Sequence, residues 1–416
     1  FRKEILLKFA ELLRKHGIEN SVLECVDTGK LVNDCLNEVA NDTPMHFQWY
    51  AELIDKTFGK VSATDPSITS LIVKEPIGVV AGVVPWNFPL MMAVWKAAPA
   101  LAAGCSVIIK PAEDTPLSAL KIAQIAKEAG IPDGVFNVLP GFGDVGEALG
   151  RHNDVDAVSF TGSTEVGGLF MKYSGESNLK TIGLEMGGKS PFLVLEDAKI
   201  NDALIDNAIN SAFWNGGQNC SANMRQIIHN KVKDEFLDKV LKRIKNIKVG
   251  DPLDTETNMG SMISKTHLAK VDSYIQKGID EGASILHGGV SDTNQKGFFA
   301  KPTLFDNVKE NMIIAQDEIF GPVLGVLTVN DTEEALKIAK NSKYGLHASV
   351  FTQDINKAFH IAKNLPCGTV SINTFSEGDI KTPFGGYKQS GSLSRDQGTE
   401  ALNQYLQTKT IWISHN

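Results

Sequence analysis

From residue 71 onward, short apolar segments alternate with amphipathic segments, and this alternation limits the possible folds more than any other feature of the sequence. The first apolar segments are rich in β-branched residues and are closed by proline, which is typical of buried strands. Strands that alternate with helices form a parallel sheet with helices on both faces. The fold class is therefore predicted to be α/β.

The pattern divides into two successive α/β units. The first is predicted to contain strands at 79–84, 106–109, 136–139, 157–160 and 181–184, and helices at 117–129, 144–150 and 164–173. The second is predicted to contain strands at 192–195, 323–329, 348–352 and 369–373, and helices at 203–213, 234–244, 265–281 and 332–341. Residues 5–13 place apolar side chains on one helical face, so another helix is expected before the first unit. The boundary between the units is expected within 185–190, where two glycines interrupt the pattern.

Length and composition argue against several classes of protein. A chain of 416 residues exceeds the usual size of one domain, which fits two units. Charged residues make up 22% of the chain and hydrophobic residues 42%, a balance typical of globular proteins. The net charge of −8 argues against a nucleic-acid-binding surface, and no apolar segment is long enough to cross a bilayer. We therefore expect neither a nucleic-acid partner nor a membrane partner.

The five cysteines, at 25, 35, 105, 220 and 367, form no CxxC pair. This scatter argues against a disulfide framework and a zinc site, so no metal is expected and a reducing, cytoplasmic location is favoured. A leader segment before Phe1 would not be seen in this sequence. Cys220 follows a predicted helix and two glycines in a small polar loop, which gives a thiol the access that a nucleophile needs. Residue type alone would favour a buried structural cysteine.

Two segments carry a family resemblance. Phe213-x-x-x-Gly217-Gln218-x-Cys220 resembles the active-site cysteine signature of the aldehyde dehydrogenase superfamily, and LEMGGKSP at 184–191 resembles its glutamate signature. The resemblance extends along the chain through PWNFP at 85–89, KPAE at 110–113, FTGST at 160–164, EIFGP at 318–322 and PFGG at 383–386. The loop FSEGDIKT at 375–382 is similar to that of enzymes that oxidise γ-glutamylamino-butyraldehyde and other aminoaldehydes.

The resemblance implies a Rossmann-like NAD-binding domain, a second α/β catalytic domain and a small β oligomerisation extension. The NAD-binding domain is expected at 1–59 and 75–187, shortened because the sequence begins several dozen residues later than typical relatives. The catalytic domain is expected at 188–383, followed by a return segment at 384–400. The extension is expected at 60–74 and 401–416, where residues 406–413 alternate like an edge strand, and it implies a homodimer or homotetramer.

The resemblance also implies oxidation of an aldehyde to a carboxylic acid. Cys220 is expected to attack the carbonyl, and Asn87 is expected to stabilise the oxyanion together with the Cys220 backbone N–H. Glu185 is expected to activate water for hydrolysis of a thioester, with its pKa raised by desolvation among apolar neighbours. Lys96 and Asp396 resemble a lysine–acid pair that relays charge or protons near the tunnel, although relatives more often have glutamate at the acid position.

The same resemblance places the cofactor, which is expected to be NAD, with NADP as the less favoured choice. The turn at 162–167 follows a strand and opens a helix, so its N–H groups and the helix dipole suit a phosphate. A carboxylate at Glu113 would accept hydrogen bonds from ribose hydroxyls and repel a 2′-phosphate. The expected cofactor-binding residues are Val84, Pro85, Trp86, Lys110, Glu113, Gly141, Phe160, Gly162, Ser163, Val166, Gly187, Glu318 and Phe320.

The substrate is expected to be a small-molecule aldehyde that enters through an aromatic tunnel. By resemblance, the tunnel is lined by Phe88, Met92, Trp95 and Phe384, although each of these also suits an ordinary hydrophobic core. We hypothesise that Glu377 or Asp379 lies at the tunnel mouth and attracts an ammonium-bearing substrate. A solvated loop that happens to carry two acids fits the sequence equally well.

Two other functions stay open at this point. One is an acylating or semialdehyde dehydrogenase, which would transfer the acyl group to coenzyme A; such relatives typically lack the glutamate found here at 185. The other is a non-catalytic binding or structural protein on the same scaffold, a role that usually goes with loss of the nucleophile or the base. Both of those residues are present in this sequence.

Overall fold

The computed structural model describes residues 1–292 and 296–415. Residues 293–295 of the expected catalytic domain and residue 416 of the expected extension lie outside the described part. The helices are α1 (Arg2–Lys15), α2 (Gly17–Thr28), α3 (Val32–Cys35), α4 (Thr43–Leu53), α5 (Pro89–Ala103), α6 (Leu117–Ala129), α7 (Gly143–Arg151), α8 (Thr164–Gly175), α9 (Asp202–Phe213), α10 (Asn230–Ile244), α11 (Lys265–Asp280), α12 (Ile313–Gln316), α13 (Thr332–Lys340), α14 (Ile355–Asn364) and α15 (Gly398–Asn403). A π-helix, Leu36–Asp42, joins α3 to α4, and 3-10 turns occur at Ile54–Lys56 and Trp214–Gly217.

The strands fall into three main sheets and one short pair. In chain order they are β1 (Lys60–Ser62), β2 (Ile68–Pro76), β3 (Val79–Val83), β4 (Ser106–Lys110), β5 (Phe136–Val138), β6 (Ala157–Gly162), β7 (Thr181–Met186), β8 (Pro191–Val194), β9 (Arg225–His229), β10 (Ser284–His287), β11 (Thr303–Asp306), β12 (Val323–Val329), β13 (Tyr344–Gly345), β14 (His347–Phe351), β15 (Thr369–Ile372), β16 (Tyr387–Lys388) and β17 (Leu406–Ser414). The short pair consists of β13 and β16.

The first large sheet is parallel, with the strand order β5-β4-β3-β6-β7. The chain moves from β3 outward to β5 and then returns to the other side of β3 with β6. In open parallel sheets, a crevice forms outside the carboxyl ends of the two strands at which the order reverses. The segments that follow β3 and β6 therefore lie at the natural ligand-binding edge of this sheet.

The second large sheet has the order β10-β11-β12-β9-β8-β14-β15. All its neighbouring strands are parallel except β10, which runs antiparallel to β11 at one edge. β8, β9 and β14 are buried at every position. Because β8 follows β7 after only the residues 187–190, the two sheets are joined directly beside Glu185.

The third sheet is antiparallel and has the order β1-β2-β17. β17 pairs with β2 over nine positions, from Leu406 opposite Pro76 to Ser414 opposite Ile68. Most of β17 is exposed, including 62% of Trp412. Among the described residues, no helix has the length and apolar character needed to span a membrane.

Each predicted strand and helix of the two units has a counterpart in the structure. Only the helix predicted at 234–244, which begins at Asn230, differs by more than two residues at either end. Sequence patterns did not reveal α5, which is buried at all its positions and contains Pro99. Uniform burial removes the polar face that makes helical periodicity visible. The sequence patterns also missed β9. Its sequence, RQIIH, begins with two polar residues, although the strand is paired with a neighbour on each side.

Candidate active site

A cavity of about 680 Å³ brings most of the predicted site residues together. The predicted residues that line it are Pro85, Trp86, Asn87, Phe88, Met92, Trp95, Gly162, Ser163, Glu185, Gly187, Cys220, Glu318, Phe320 and Phe384. The predicted residues that do not line it are Val84, Lys96, Lys110, Glu113, Gly141, Phe160 and Val166. Lys96 contacts Asp396, which does line the cavity, and the other six surround the carboxyl edge of the first sheet.

The loop that carries Cys220 is shaped by a tight left-handed turn after α9. Asn215, Gly216 and Gly217 have φ values of +52°, +63° and +71°. A Cβ atom at Gly217 would lie 2.6 Å from the Gly321 carbonyl oxygen, so only glycine fits there. This turn ends the helix and directs the following residues, including the partly buried Cys220, into the cavity.

Cys220 is held as a neutral thiol in this structure. Burial raises its pKa well above the ordinary value, and the carboxylates of Glu377, Glu318 and Glu185 raise it further. A thiol in such surroundings is a weak nucleophile until its proton is removed. The site therefore needs a nearby base or positive charge to generate the thiolate.

Glu377 bonds to both neighbours of Cys220. Its Oε1 accepts a hydrogen bond from Asn219 Nδ2 at 2.9 Å and another from Ser221 Oγ. Asn219 Oδ1 in turn accepts from the Ser221 N–H at 3.2 Å. Burial raises the pKa of Glu377, and the two side-chain hydrogen bonds oppose that change. We call these three residues the Glu377 clamp, because they close a ring of hydrogen bonds around the nucleophile loop.

Asn87 lies in the turn between β3 and α5, where its side chain is buried at the cavity wall. Its side-chain Nδ2 donates to the backbone carbonyl oxygen of Gln218 at 2.9 Å. The backbone carbonyl oxygen of Asn87 accepts from Asn215 Nδ2 at 3.1 Å. A carboxamide has two N–H donors, so the bond to Gln218 leaves one more for a ligand. The loop bonds thus orient Asn87 beside the Cys220 segment.

Glu185 is a buried carboxylate in β7 with only 5% of its surface exposed. Neither of its carboxylate oxygens has a hydrogen-bond partner among the described residues. Burial raises its pKa well above the ordinary value, as does the Asp396 carboxylate, while Lys96 and Arg395 oppose the rise. A carboxylate in this state can bond to water and accept a proton from it.

Lys96 and Asp396 form a buried ion pair, with 1% and 3% of their side chains exposed. Lys96 belongs to α5, while Asp396 is bridged to Phe384 in the segment that follows the second sheet. The predicted pairing of these residues is therefore confirmed. Because both charges influence the pKa of Glu185, the pair forms the electrostatic surroundings of that carboxylate.

The segments after β3 and β6 lie at the edge of the first sheet where the sequence predicts a phosphate site. Ser163 caps α8, and its Oγ accepts from the Val166 N–H at 3.3 Å. The N-terminus of α8 therefore presents N–H groups and a partial positive charge beside the crevice. At the end of β4, Lys110 is buried and its Nζ lies 3.3 Å from a carboxylate oxygen of the more exposed Glu113.

Gly141, Phe160 and Val84 support this edge. Gly141 is tightly packed, because a Cβ atom there would lie 2.3 Å from a Val145 methyl carbon. Phe160 is buried in β6 against Phe170, with ring centroids 5.0 Å apart. The Val84 N–H donates to the Lys110 carbonyl oxygen at 3.1 Å, which fixes the end of β3 against β4.

Glu318 and Phe320 line the same cavity. Glu318 Oε1 accepts from the Gly188 N–H at 3.0 Å, and a Cβ atom at Gly187 would lie 1.9 Å from Glu318 Oε2. Burial raises the pKa of Glu318 to about 7. The Phe320 ring meets the edge of Trp86 at 5.2 Å, and its carbonyl oxygen is 2.6 Å from His267 Nε2. His267 carries no sequence motif, and sequence reasoning missed it.

The predicted tunnel residues form an aromatic wall. Phe88 packs on Trp214 with ring centroids 5.1 Å apart, and Trp95 meets Phe384 at 5.3 Å. Met92 is buried on α5 and lines the same cavity. Trp214 was not predicted as a tunnel residue, although it adjoins the cysteine motif in the sequence.

Several acidic side chains also line the cavity. Glu377 and Asp379 line it from the 375–382 loop, and three acids line it from the segment around the π-helix, namely Asp34, Glu38 and Asp42. Among the described residues that line the cavity, Lys270 is the only Lys or Arg. Sequence reasoning missed the three acids because they belong to no motif, and because the period of a π-helix differs from the 3.6-residue period by which an α-helical face is recognised.

Comparisons with known proteins agree with this geometry. The model of the aldehyde dehydrogenase family matches residues 1–411. An aminoacetaldehyde dehydrogenase of Pseudomonas aeruginosa is 45% identical over 413 residues, which cover 99% of this chain and 83% of that protein. The solved structure of a γ-glutamyl-γ-aminobutyraldehyde dehydrogenase from Burkholderia cenocepacia gives a TM-score of 0.97 at 44% identity and covers 100% of this chain and 84% of that one. An indole-3-acetaldehyde dehydrogenase from P. syringae, solved with NAD+ and IAA, gives a TM-score of 0.97 at 44% identity with 99% and 84% covered.

These matches extend over nearly the whole chain and do not depend on a single motif. They agree with a structure in which the cysteine and glutamate signatures meet in one cavity. The chain therefore belongs to the aldehyde dehydrogenase family, and it is an enzyme that oxidises aldehydes to carboxylic acids.

Proposed function

We propose that Cys220 is the nucleophile and Glu185 the general base of an NAD-dependent, hydrolytic oxidation of aldehydes. One observation carries the proposal: a thiol and an unpartnered buried carboxylate line the same cavity, next to the ligand-binding edge of a parallel sheet. A nucleophile and a separate water-activating base are the two groups that thioester chemistry requires.

In the first step, the Cys220 thiol releases its proton to solvent water, and Sγ bonds to the aldehyde carbon. The carbonyl oxygen becomes an oxyanion, which accepts hydrogen bonds from the Asn87 amide and the Cys220 backbone N–H. Collapse of this adduct expels a hydride from the carbon and leaves a thioester on Sγ. Water then adds to the thioester while Glu185 accepts its proton, and the C–S bond breaks to release the carboxylic acid. The leaving Cys220 thiolate takes the proton from Glu185, which restores both the thiol and the base.

NAD+ is the proposed hydride acceptor, and the residues present fit it. The N-terminus of α8 suits the pyrophosphate, and Lys110 with Glu113 suits the adenosine ribose. Glu318 suits the hydroxyls of the nicotinamide ribose, with Phe320 beside the ring. When bound, the cofactor supplies the acceptor for the hydride. Glu113 favours NAD over NADP because its carboxylate would repel a 2′-phosphate.

The substrate proposed is an aldehyde that carries an ammonium group. Asp379 and Glu377, together with three acids around the π-helix, create a negative field in the tunnel, where the neighbouring His46 is kept neutral because burial lowers its pKa to about 4. A cationic substrate gains from this field and a neutral one does not. Glu38 adds little negative charge at neutral pH, because burial raises its pKa to about 8, and its Oε2 is already paired with the buried Lys30.

The preference is tested by comparing kcat/KM for an aminoaldehyde and for a neutral aldehyde of equal chain length. The aminoaldehyde is expected to be better by about 10-fold or more, as for one well-placed charge contact. In Asp379→Asn the advantage should shrink while kcat/KM for the neutral aldehyde is unchanged. Equal values for both substrates in the unsubstituted enzyme would refute an ammonium preference.

We further propose a division into the domains expected from the sequence, a cytoplasmic location and a homodimer or homotetramer. The exposed side chains of the edge strand β17, including Trp412, support assembly through this sheet. All five cysteines are free thiols, which suits a reducing compartment. Light scattering on the purified chain measures the assembly, and a monomer at micromolar concentration would contradict that part of the proposal.

An acylating enzyme that uses coenzyme A is the alternative reaction. The presence of Glu185, buried and without a hydrogen-bond partner among the described residues, favours hydrolysis instead. The test is NADH formation over a panel of aldehydes with and without coenzyme A, together with identification of the product. Free acid without coenzyme A supports the proposal, whereas turnover that requires coenzyme A and yields an acyl thioester contradicts it.

A further inference from the structure

A second, much smaller cavity of about 20 Å³ lies next to the segment that follows Glu185 in the sequence. It is lined by Lys189 and Ser190 before β8, by Arg225 of β9 and by Lys388 of β16. None of the residues that line it also lines the active-site cavity. It is therefore a separate feature, and the reaction steps proposed above make no use of it.

Three of the residues that line this cavity have a buried donor group without a partner. Lys189 Nζ, Ser190 Oγ and Arg225 Nε make no hydrogen bond within the described part of the chain. The exposed fractions of these residues are 3%, 2% and 1%. A buried polar group without a partner is costly, and a buried unpaired charge is more so, which makes three around one cavity a strong sign of a ligand.

The surrounding contacts hold these groups in place. Arg225 donates from Nη1 to the Asn341 carbonyl oxygen at 3.0 Å and from Nη2 to the Ala339 carbonyl oxygen at 2.8 Å. Lys388 Nζ donates to the carbonyl oxygens of Lys340 and Ser342 at 3.0 and 2.8 Å. Because both Nη atoms of Arg225 are bound elsewhere, its Nε position is fixed before any ligand arrives.

The charge around the cavity is positive. Lys189, Arg225 and Lys388 line it, and no Asp or Glu is among its described lining residues. His347, the remaining titratable side chain there besides Tyr344 and Cys367, is neutral because burial lowers its pKa to about 4. Glu318, Asp317 and Glu310 act on Lys189 or Arg225 only from outside the lining.

We propose that this cavity binds one monovalent anion of halide size, such as chloride. A space of about 20 Å³ holds a single atom-sized ligand and excludes tetrahedral oxyanions such as phosphate. The three unpartnered donors belong to residues that line it, and two of these residues, Lys189 and Arg225, are cationic. A halide accepts all three hydrogen bonds and offsets the repulsion between Lys189 and Arg225, whereas a water molecule has two acceptor sites and no charge.

The binding should depend on pH in a defined direction. Burial and the charge of Arg225 together lower the pKa of Lys189 to about 7, while Glu318 and Asp317 oppose the change. Lys189 is thus charged below about pH 7 and neutral above it. The anion should therefore bind more tightly at pH 6 than at pH 8.5.

The direct test is a crystal of the full chain grown in sodium bromide, with data collected at the bromine absorption edge. The expected result is an anomalous peak within hydrogen-bond distance of Lys189 Nζ, Ser190 Oγ and Arg225 Nε. Water-like density without an anomalous signal in the cavity, or bromide bound only at the surface, would overturn the proposal.

A solution test compares the Tm in 1 mM and 100 mM chloride, with gluconate keeping the ionic strength constant. For a dissociation constant near 10 mM, the Tm should rise by about 1–2 °C at pH 6 and by less at pH 8.5. Lys189→Met should abolish the rise, and Ser190→Ala should reduce it. Lys180→Met is the matched control, because Lys180 is equally buried but its Nζ donates to the Gly150 carbonyl oxygen. It should keep the full rise.

If Lys189→Met fails to fold, the Ser190→Ala variant and the bromide map still test whether the cavity binds an anion. A chloride response that is unchanged in Ser190→Ala, together with no bromide in the cavity, would show that the ion acts elsewhere. Failure of this proposal would leave the proposed oxidation untouched, because the anion test measures Tm and anomalous density and does not measure turnover.

Discussion

Two carboxylates, the buried Glu185 and the partly buried Glu377, line the same cavity as Cys220 and yet have different surroundings. Glu377 accepts hydrogen bonds from the side chains on both sides of the nucleophile, whereas Glu185 has no hydrogen-bond partner among the described residues. Burial raises the pKa of both groups. At Glu377 the side-chain donors of Ser221 and Asn219 oppose the rise. At Glu185 the negative charge of Asp396 adds to the rise, and it is opposed by the charges of Lys96 and Arg395 and by the Gly386 backbone N–H.

The difference separates two tasks that a carboxylate can have near a reactive thiol. A carboxylate whose lone pairs already accept donors holds neighbouring groups in position and has little capacity for water. A carboxylate without donors is unstable when charged, so it gains by bonding to water and by taking a proton from it. The surroundings therefore assign positioning to Glu377 and proton transfer to Glu185.

Substitution of the proposed nucleophile, Cys220, should have the largest effect on turnover. Cys220→Ala is expected to lower kcat for NADH formation by at least about 10⁴-fold, because the covalent route is lost. Cys105→Ala is the matched control, since Cys105 is buried far along the chain from the motif and does not line the cavity. Turnover that survives in Cys220→Ala would eliminate the mechanism.

Glu185→Gln should have the next largest effect. The amide has nearly the same shape but cannot accept a proton at neutral pH, so kcat is expected to fall by about 10²–10⁴-fold. In the unsubstituted enzyme, kcat should rise with pH through the raised pKa of Glu185, because the base must be ionised. The substituted enzyme should lack that rise. A variant with normal kcat and a normal pH profile would assign water activation to another residue.

Glu377 should respond differently to the same kinds of substitution. Glu377→Ala removes the acceptor for Asn219 and Ser221, so kcat is expected to fall by about 10-fold as the loop loses its fixed position. Glu377→Gln keeps an acceptor oxygen and should recover most of that loss. If the Gln variant is as impaired as Glu185→Gln, the contrast between the two carboxylates is wrong.

A second readout separates charge from position at Glu377. The Glu377 carboxylate raises the pKa of Cys220, so either substitution should lower that pKa. Alkylation of the thiol by iodoacetamide, followed against pH, should therefore reach half its maximal rate at a lower pH in both variants. If Glu377 acted only on the position of the loop, the pH profile of alkylation would be the same in both variants as in the unsubstituted enzyme.

Glu318 is a third carboxylate that lines the cavity, in the proposed cofactor site. Its substitution should have the smallest effect on activity. Its pKa of about 7 means that ionisation, and hence its ability to accept from ribose hydroxyls, increases from pH 6 to pH 8. KM for NAD+ should therefore fall about 3- to 10-fold over that range. Glu318→Gln should flatten the dependence. An unchanged slope in that variant would remove Glu318 from cofactor binding.

The parts of the fold that repeat a regular pattern could be predicted from the sequence. Alternating apolar and amphipathic segments revealed the strands of both parallel sheets, apart from β9 to β11, and most of the helices. Helix α5 could not be found in this way, because burial on all sides leaves no periodicity to detect. It nevertheless carries Met92, Trp95 and Lys96, so its position determines much of the tunnel.

The residues of the site also differ in whether a local sequence pattern could reveal them. Cys220, Glu185 and Asn87 could be predicted because each belongs to a short motif, and the structure brings all three to one cavity. The Glu377 clamp could not be predicted, because its two bonds join positions more than 150 residues apart. The acids near the π-helix could not be predicted for a related reason. Which of them faces the cavity depends on a backbone that departs from the α-helix.

The central claim is that Glu185 acts on water and that Cys220 alone performs the attack. It is tested most directly by mixing Glu185→Gln rapidly with aldehyde and NAD+ and following NADH within one turnover. The account predicts a burst of about one NADH per active site at nearly the normal rate, followed by slow turnover as the thioester accumulates. A variant that forms NADH slowly from the start, with no burst, would show that Glu185 is needed before the thioester forms, and would contradict the account.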